Sequence, residues 1–221
     1  MHKFYQLPPF IKWTLTLLLL GFFLFIVGVW MKLMTVHFAF YFVVFLIAPF
    51  YHFTLTPLMN LLGVYKYVSP LLLVYMPNEK QYDLHNGTGF DYFLHMRGTK
   101  PGKAIRQKLL IYYMEGFLKI IQEIESGEIP ENIIVKGTSY FFSSSTARRF
   151  GFEVTPAPKD AKLNIYFNYF EILWMYSLAQ GKLALPSMKN IQLAKTDGKT
   201  LLAHKERIVH YHRYLLSRNQ S

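Results

Sequence analysis

Between Trp13 and Met31 no residue is charged, a run as long as the roughly 18 apolar residues that mark a membrane-crossing helix. One lysine, Lys32, separates it from a second uncharged stretch that begins at Leu33 and includes Val36 to Ala48 before Pro49. The pattern predicts a tight helical hairpin with spans at about 13–31 and 35–52. A secretory signal has a shorter apolar core, roughly 7 to 15 residues, ending in small residues; this run ends in Val-Trp-Met-Lys. Buried helices of soluble proteins keep a polar stripe, and neither run has one. His37, close to the end of the second span, reads as an interfacial residue rather than an intramembrane functional group.

Beyond Pro49 the chain stays apolar but is interrupted by Pro57, Asn60, Gly63 and Lys66. An interfacial helix around Leu58 to Leu62 is expected. A short third span is the alternative, and it would move everything after it across the membrane. Next come strand patterns at Val64–Val68 and Leu71–Met76. A third strand is expected at Phe90–His95, after the turn residues Asn86-Gly87-Thr88-Gly89. Apolar positions spaced by three and four predict a helix over Lys103–Ser126, bounded by Pro101-Gly102 and Gly127.

Ile133–Val135 reads as a strand, and Ser143–Phe150 as a short helix with a serine cap and Gly151 just past its end. Phe152–Val154 and Leu163–Phe167 read as strands, and Tyr169–Gln180 as a helix stopped by Gly181. Ile191–Lys195 followed by Asp197-Gly198 would open a hairpin, and a basic helix runs from about Lys205 to Arg218. The expected architecture is a two-helix N-terminal transmembrane hairpin (1–53), a juxtamembrane segment with the first strands (54–78) and a mixed α/β (α+β) cytosolic domain (79–221).

Charge changes the picture in two ways. The first acidic residue is Glu79, and the whole chain carries 24 Lys+Arg against 13 Asp+Glu, a formal net charge of +11. Lys3 and Lys12 precede the first span, Lys32 alone lies in the hairpin loop, and Lys66, Lys80, Arg97, Lys100, Lys103, Arg106 and Lys108 follow. By the positive-inside rule both termini face the cytoplasm, making this a multi-pass protein of the cytoplasmic membrane. A basic domain beside an anionic leaflet gains on the order of 1 kcal/mol per Lys or Arg near the surface. Membrane lipid is therefore the expected partner, with a protein partner possible and nucleic acid disfavoured in the absence of a helix-turn-helix, zinc-finger or ribonucleoprotein signature. The chain has no cysteine, which agrees with a reducing compartment.

Candidate chemistry is sparse. Arg97-Gly98-Thr99-Lys100-Pro101-Gly102-Lys103-Ala104 precedes the long helix, and a glycine-bearing turn there can offer amides and a positive dipole end to a phosphate. It is not a nucleoside-triphosphate loop, because three residues separate the glycines and Ala104 stands where Ser or Thr would hold magnesium. An ordinary turn with a basic helix start accounts for it too. The turn resembles the pyrophosphate-binding turn of the GCN5-related N-acetyltransferase family: Arg97 and Gly102 match, and Lys100 stands where the first glycine falls. Thr146-Ala147-Arg148-Arg149-Phe150-Gly151-Phe152 is similar to that family's later helix and its Gly-Phe step. The resemblance implies acyl-CoA as cofactor, with Arg97, Lys100, Gly102 and Lys103 on the pyrophosphate and Tyr140 or Glu153 as proton-transfer candidates. This acyltransferase is the alternative to an accessory, lipid- or protein-binding role.

Asp83 and His85, which would share one face of a strand, together with Asp91 and His95 form the one Asp/His set that could hold a divalent metal; solvated loop residues are the plainer reading. His210 and His212 sit two apart on a predicted helix and diverge too far to chelate. The hydroxyls of Thr138, Ser139, Tyr140 and Ser143–Thr146 lack a nucleophile elbow and suit caps and turns. Tyr166, Phe167, Tyr169, Phe170, Trp174 and Tyr176 read as core and membrane-proximal surface, with a lipid-tail or acyl pocket as the sharper version.

Overall fold

The apolar N-terminus forms one long helix with almost nothing packed around it. In the computed structural model, which describes residues 3–139, 144–187 and 191–219, α1 (Lys3–Gln6) leads through Pro8 into α2 (Pro9–Met34). Pro9 suits the first helical position, where its missing N–H is not needed. α2 is long and apolar enough to cross a membrane. Along its outer surface the side chains point into open space, Phe10 being 79 % exposed, Phe25 67 % and Met31 57 %, while Thr16 is buried.

The second apolar run does not make one α-helix over 35–52. His37 accepts a hydrogen bond from the Ala39 amide at 3.1 Å and starts a 3₁₀ segment, Phe38–Val43. α3 (Val44–Leu61) then runs straight through Pro49 and Pro57 and absorbs most of the expected interfacial helix. It packs back along α2. The Trp30 indole N–H donates to the Phe40 carbonyl at 2.7 Å, and the rings of Phe23 and Tyr51 lie 6.3 Å apart.

A six-stranded mixed sheet follows, in the order β1-β2-β3-β4-β6-β5. The strands are β1 (Tyr65–Ser69), β2 (Leu72–Tyr75), β3 (Gln81–Asn86), β4 (Ile134–Ser139), β5 (Glu153–Pro156) and β6 (Gln192–Asp197). Only β3 and β4 are parallel; their crossover contains α4 (Gly89–Met96) and α5 (Lys103–Glu125). Alternation along the strands gives the sheet two faces of different chemistry. Val68, Leu72, Val74, Tyr82 and Leu84 turn towards α5 and join the main core with Ile105, Met114, Phe117, Ile120 and Ile121. The fit is close at Gly116, where an added Cβ would come within 2.6 Å of the Leu72 Cδ2. α9 (Gly198–Ala203) and α10 (Lys205–Asn219) pack on α5. Tyr65, Tyr67, Leu73, Tyr75, Asp83, His85 and Lys136 occupy the opposite face, which α3, α7 (Lys159–Phe167) and α8 (Tyr169–Gln180) cover in part.

Three expected elements differ. Phe90–His95 is helical: Thr88 and Asp91 form a reciprocal capping box at the start of α4, which satisfies two otherwise unpaired donors and outweighs strand-like alternation. Leu163–Phe167 forms the end of α7. Asp197-Gly198 does not turn a hairpin; the Asp197 carboxylate accepts from the Thr200 amide at 2.7 Å and caps α9. β3 and α9 occupy stretches where no such element was expected, and most of the other strands and helices lie within a few residues of their sequence positions, including α6 (Ser144–Arg149), ended by Gly151 at φ +82°. Its expected cap Ser143 lies outside the described residues.

Candidate functional site

On the open sheet face, a cleft of about 520 Å³ lies between the strands and the layer formed by α3, α7 and α8. Thr138 of β4 lines it, and its other walls come from four places. α3 contributes Tyr51, His52, Leu55 and Met59; β1 and β2 contribute Tyr65, Leu73 and Tyr75. β3 and the turn after it add His85, Asn86, Gly87 and Thr88, while α7, α8 and the residue between them add Ile165, Asn168, Glu171, Ile172 and Met175. Tyr65, Leu73, Tyr75 and His85 are there because of side-chain alternation, Tyr65 lying opposite Tyr75 and Leu73 opposite His85 in the ladder register; Asn86, the last residue of β3, turns its side chain to Tyr113 on α5.

Two polar clusters border this space. In the first, the Glu171 carboxylate accepts the Gly89 amide at 2.6 Å through Oε1 and pairs with His52 Nδ1 at 2.7 Å through Oε2. Glu171 thus sits at the N-terminus of α4, where unpaired amides and the helix dipole favour an anion. Its bond to Nδ1 fixes the orientation of the imidazole, and His52 Nε2 has no hydrogen-bond partner among the described residues. Thr56 ties the same stretch of α3 to the cap of α4, donating to the His52 carbonyl at 2.6 Å with the Thr88 hydroxyl 2.8 Å from its oxygen. Burial, then the nearby Tyr75, Glu171, Tyr51 and Asp91, push the Tyr65 phenol up to about 12. It stays protonated at neutral pH and remains a hydrogen-bond donor.

In the second cluster, a row across the sheet runs Tyr65, Tyr75, Asp83, Lys136, Lys195, Glu153 in register. Asp83 lies 3.6 Å from Lys136 Nζ and 3.6 Å from His85 Nε2. Burial holds the His85 imidazole below its ordinary value, Asp83 opposing and Lys136 adding to the effect.

The sequence candidates are scattered over this framework. Asp83 and His85 are neighbours at the cleft, but Asp91 and His95 lie on α4, and among the described residues no three His, Cys, Asp or Glu side chains converge as metal ligands. Asp91 is fully buried on other business. Tyr5 donates to its Oδ1 at 2.5 Å, Tyr67 donates at 2.9 Å, and the Thr88 amide donates to Oδ2 at 2.8 Å. Burial nonetheless pushes this carboxyl up to about 6, with those hydrogen bonds pulling the other way. His95 stands 6.1 Å from the Tyr112 ring, edge to face. Glu153 is exposed on the edge strand β5, and Tyr140 lies outside the described residues.

The turn at Arg97–Lys103 joins two helices, α4 and α5, rather than a strand and a helix. Gly102, at φ +94°, closes against Gly181, and its amide donates to the Leu178 carbonyl at 2.8 Å. Arg97, Lys100 and Lys103 are exposed around it. None of the four residues lines the cleft. Lys108 holds the end of α4, donating to the His95 carbonyl at 2.6 Å.

His52 and Glu171 were not reachable from sequence. They lie 119 positions apart, and His52 sits in a run that reads as apolar. In the aromatic segment 165–176, Tyr166, Phe170 and Trp174 face outwards and do not line the cleft; the aliphatic residues Ile165, Ile172 and Met175 between them do. Comparisons with family models, with curated proteins and with solved structures return no match to this chain.

Proposed function

We propose that this is an accessory protein of the cytoplasmic membrane, anchored by a two-helix hairpin and seating a basic α/β domain against anionic lipid, with both termini in the cytoplasm. The observation that carries the reading is α2: 26 residues, apolar and unpacked along its outer surface. At 1.5 Å per residue it is about 39 Å long, enough for a hydrocarbon core of about 30 Å.

Two further features support the hairpin. The Tyr5 hydroxyl reaches Asp91 and Tyr67, so the start of the chain and the sheet domain share one side, and a crossing by α2 requires a return. The 3₁₀ segment and the first part of α3 run back along α2 to the domain, which α3 joins at His52 and Thr56. Lys3 and Lys12 outnumber Lys32, which favours a cytoplasmic N-terminus.

The domain adds its own lipid-facing surface. Phe93 on α4, Tyr166 on α7, Phe170 and Trp174 on α8, and Leu183 and Leu185 beyond it are exposed, and α3 contacts both α4 and α8. Aromatic side chains of this kind settle at the lipid headgroup level. The acyl-CoA transferase reading, through Arg97, Lys100, Gly102 and Lys103, has less support, because the Gly102 amide it needs is already engaged by Leu178.

The absence of native cysteine makes the test direct. Single variants Gln6→Cys, Thr35→Cys and Ser217→Cys are labelled with a membrane-impermeant maleimide in sealed right-side-out and inverted vesicles. Gln6→Cys and Ser217→Cys should react from the cytoplasmic side and Thr35→Cys from the other. Labelling of all three from one side would overturn the hairpin.

A further inference from the structure

The cleft is built like a ligand site. Its volume, about 520 Å³, falls in the range of roughly 300 to 1,000 Å³ usual for small-molecule pockets. One part of its lining is aliphatic, from Leu55, Met59, Leu73, Ile165, Ile172 and Met175, and the rest is hydrogen-bonding. That division suits an amphiphile, and α3, the helix that returns from the anchor, forms one wall.

The polar part says which head group fits. The bond from Glu171 to His52 Nδ1 leaves Nε2 as an acceptor when the imidazole is neutral. The Asn86 side chain turns away from this space, opposite Leu72 in the ladder and accepting from the Tyr113 hydroxyl on α5 at 2.5 Å. Tyr65 supplies a phenol. A ligand meeting these groups must both donate and accept. An anionic head is disfavoured, because the Glu171 carboxylate lines the same cleft and its charge is at best balanced by His52, while Lys136 already pairs with Asp83.

The geometry points to a binding site for a single-chain neutral lipid with a hydroxylated head group, of the monoacylglycerol class, entering from the bilayer beside α3. The inference rests on the membrane anchoring proposed above. The acyl chain lies along the aliphatic wall, and a head-group hydroxyl donates to His52 Nε2 while accepting from the Tyr65 phenol. Glu171 is a positioning residue, holding the ring through Nδ1.

The experiment uses the full chain reconstituted in phosphatidylcholine vesicles with a diazirine-bearing monoacylglycerol, followed by peptide mapping of the photo-adducts. Adducts are expected on residues 51–59 and 165–175, displaced by unlabelled monoolein at least tenfold more effectively than by oleic acid or a lysophosphatidylglycerol. Ile172→Trp, which fills the cleft, should cut labelling of those segments at least tenfold with its melting temperature retained. Glu171→Gln should weaken competition by monoolein while leaving competition by the chain-matched methyl ester, which has no hydroxyl, unchanged, a split that a purely structural contact would not produce. Adducts spread along the outer surface of α2 alone would overturn the site, and equal or better competition by the anionic lipids would overturn the head-group assignment. The cysteine-labelling topology is read separately, so loss of this site and loss of the hairpin are distinguishable.

Discussion

The carboxyl of Asp91 makes the folding stability of the domain depend on pH in an unusual direction. Ordinarily a carboxylate that accepts several hydrogen bonds is held below its solution value and stabilises the fold as pH rises. Asp91 accepts from Tyr5, Tyr67 and Thr88, yet burial outweighs them and raises it from 3.8 to about 6. Between those two values the folded chain holds a proton that the unfolded chain has released. Stability is therefore greatest below about pH 4, falls as pH rises through about 6, and is flat beyond. A shift of about two units corresponds to about 3 kcal/mol at 1.36 kcal/mol per unit. For a chain of this size that is about 6 to 12 °C in melting temperature.

Other groups titrate too, so the test is a difference. Thermal unfolding of wild type and Asp91→Asn is followed in detergent from pH 3.5 to 8. The amide cannot titrate; it loses the cap on the Thr88 N–H at every pH, which gives a constant offset. The wild-type curve should drop relative to the variant between about pH 4 and 6. A flat difference would sink the reasoning. A rising one would mean that the three hydrogen bonds prevail over burial and that the carboxyl sits below its ordinary value.

Lys66 bonds the buried Glu123 at 2.9 Å, with Tyr82 as a second donor at 3.1 Å. Lys66→Met should cost about 2 to 4 kcal/mol, less than a fully enclosed pair would because Lys66 is partly exposed, and the double variant Lys66→Met/Glu123→Met should recover most of it; chemical denaturation of both measures this. Gly116→Ala should lower the melting temperature, since overpacking of about 1 to 3 kcal/mol against Leu72 and Val68 exceeds the helix-propensity gain of about 1 kcal/mol. Glu171→Ala should cost about 2 to 4 kcal/mol by stranding the Gly89 amide and freeing His52, and Glu171→Gln about half as much, because the amide oxygen still accepts from Gly89. Gly151→Ala should destabilise by at least 1 kcal/mol in the same assay, as its φ of +82° and the approach of His204 and Thr200 both oppose a Cβ.

Long-range sheet order is not written locally, but much of the element pattern is. The spacing of Ile105, Leu109, Phe117, Ile120 and Ile124 made α5 legible because one face of a long helix has to be apolar. Gly181 marked the end of α8, and it adopts φ +71° there. The failures share one cause. Phe90–His95 and Leu163–Phe167 are short and aromatic, and over five or six residues alternation cannot be told from a helical face. The deciding signal for α4 was one turn earlier, in Thr88 and Asp91, three residues apart as a capping box requires. Asp197 could have been read as a cap by the same logic. The cleft was less accessible still: His52, His85 and Glu171 come from three distant segments, and only the fold brings them together. The aromatic segment around Trp174 announced an apolar environment without saying which side chains would face inwards.

The bond between Tyr5 and Asp91 spans 86 positions of sequence, and this has a consequence for biogenesis. Chains emerge N-terminus first, so under the proposed topology α2 would meet the membrane before Asp91 has been synthesised, with Lys3 and Lys12 alone acting on its orientation. In a chain where α2 crosses and the return segment does not, Tyr5 ends up on the far side of the bilayer from the sheet. The carboxyl then folds into the core short of one donor, and Phe4 loses its place against Phe90, 5.3 Å away in the finished protein. Under the proposed hairpin, correctly inserted molecules alone would complete this clasp, so the domain's stability would report on how the anchor was threaded.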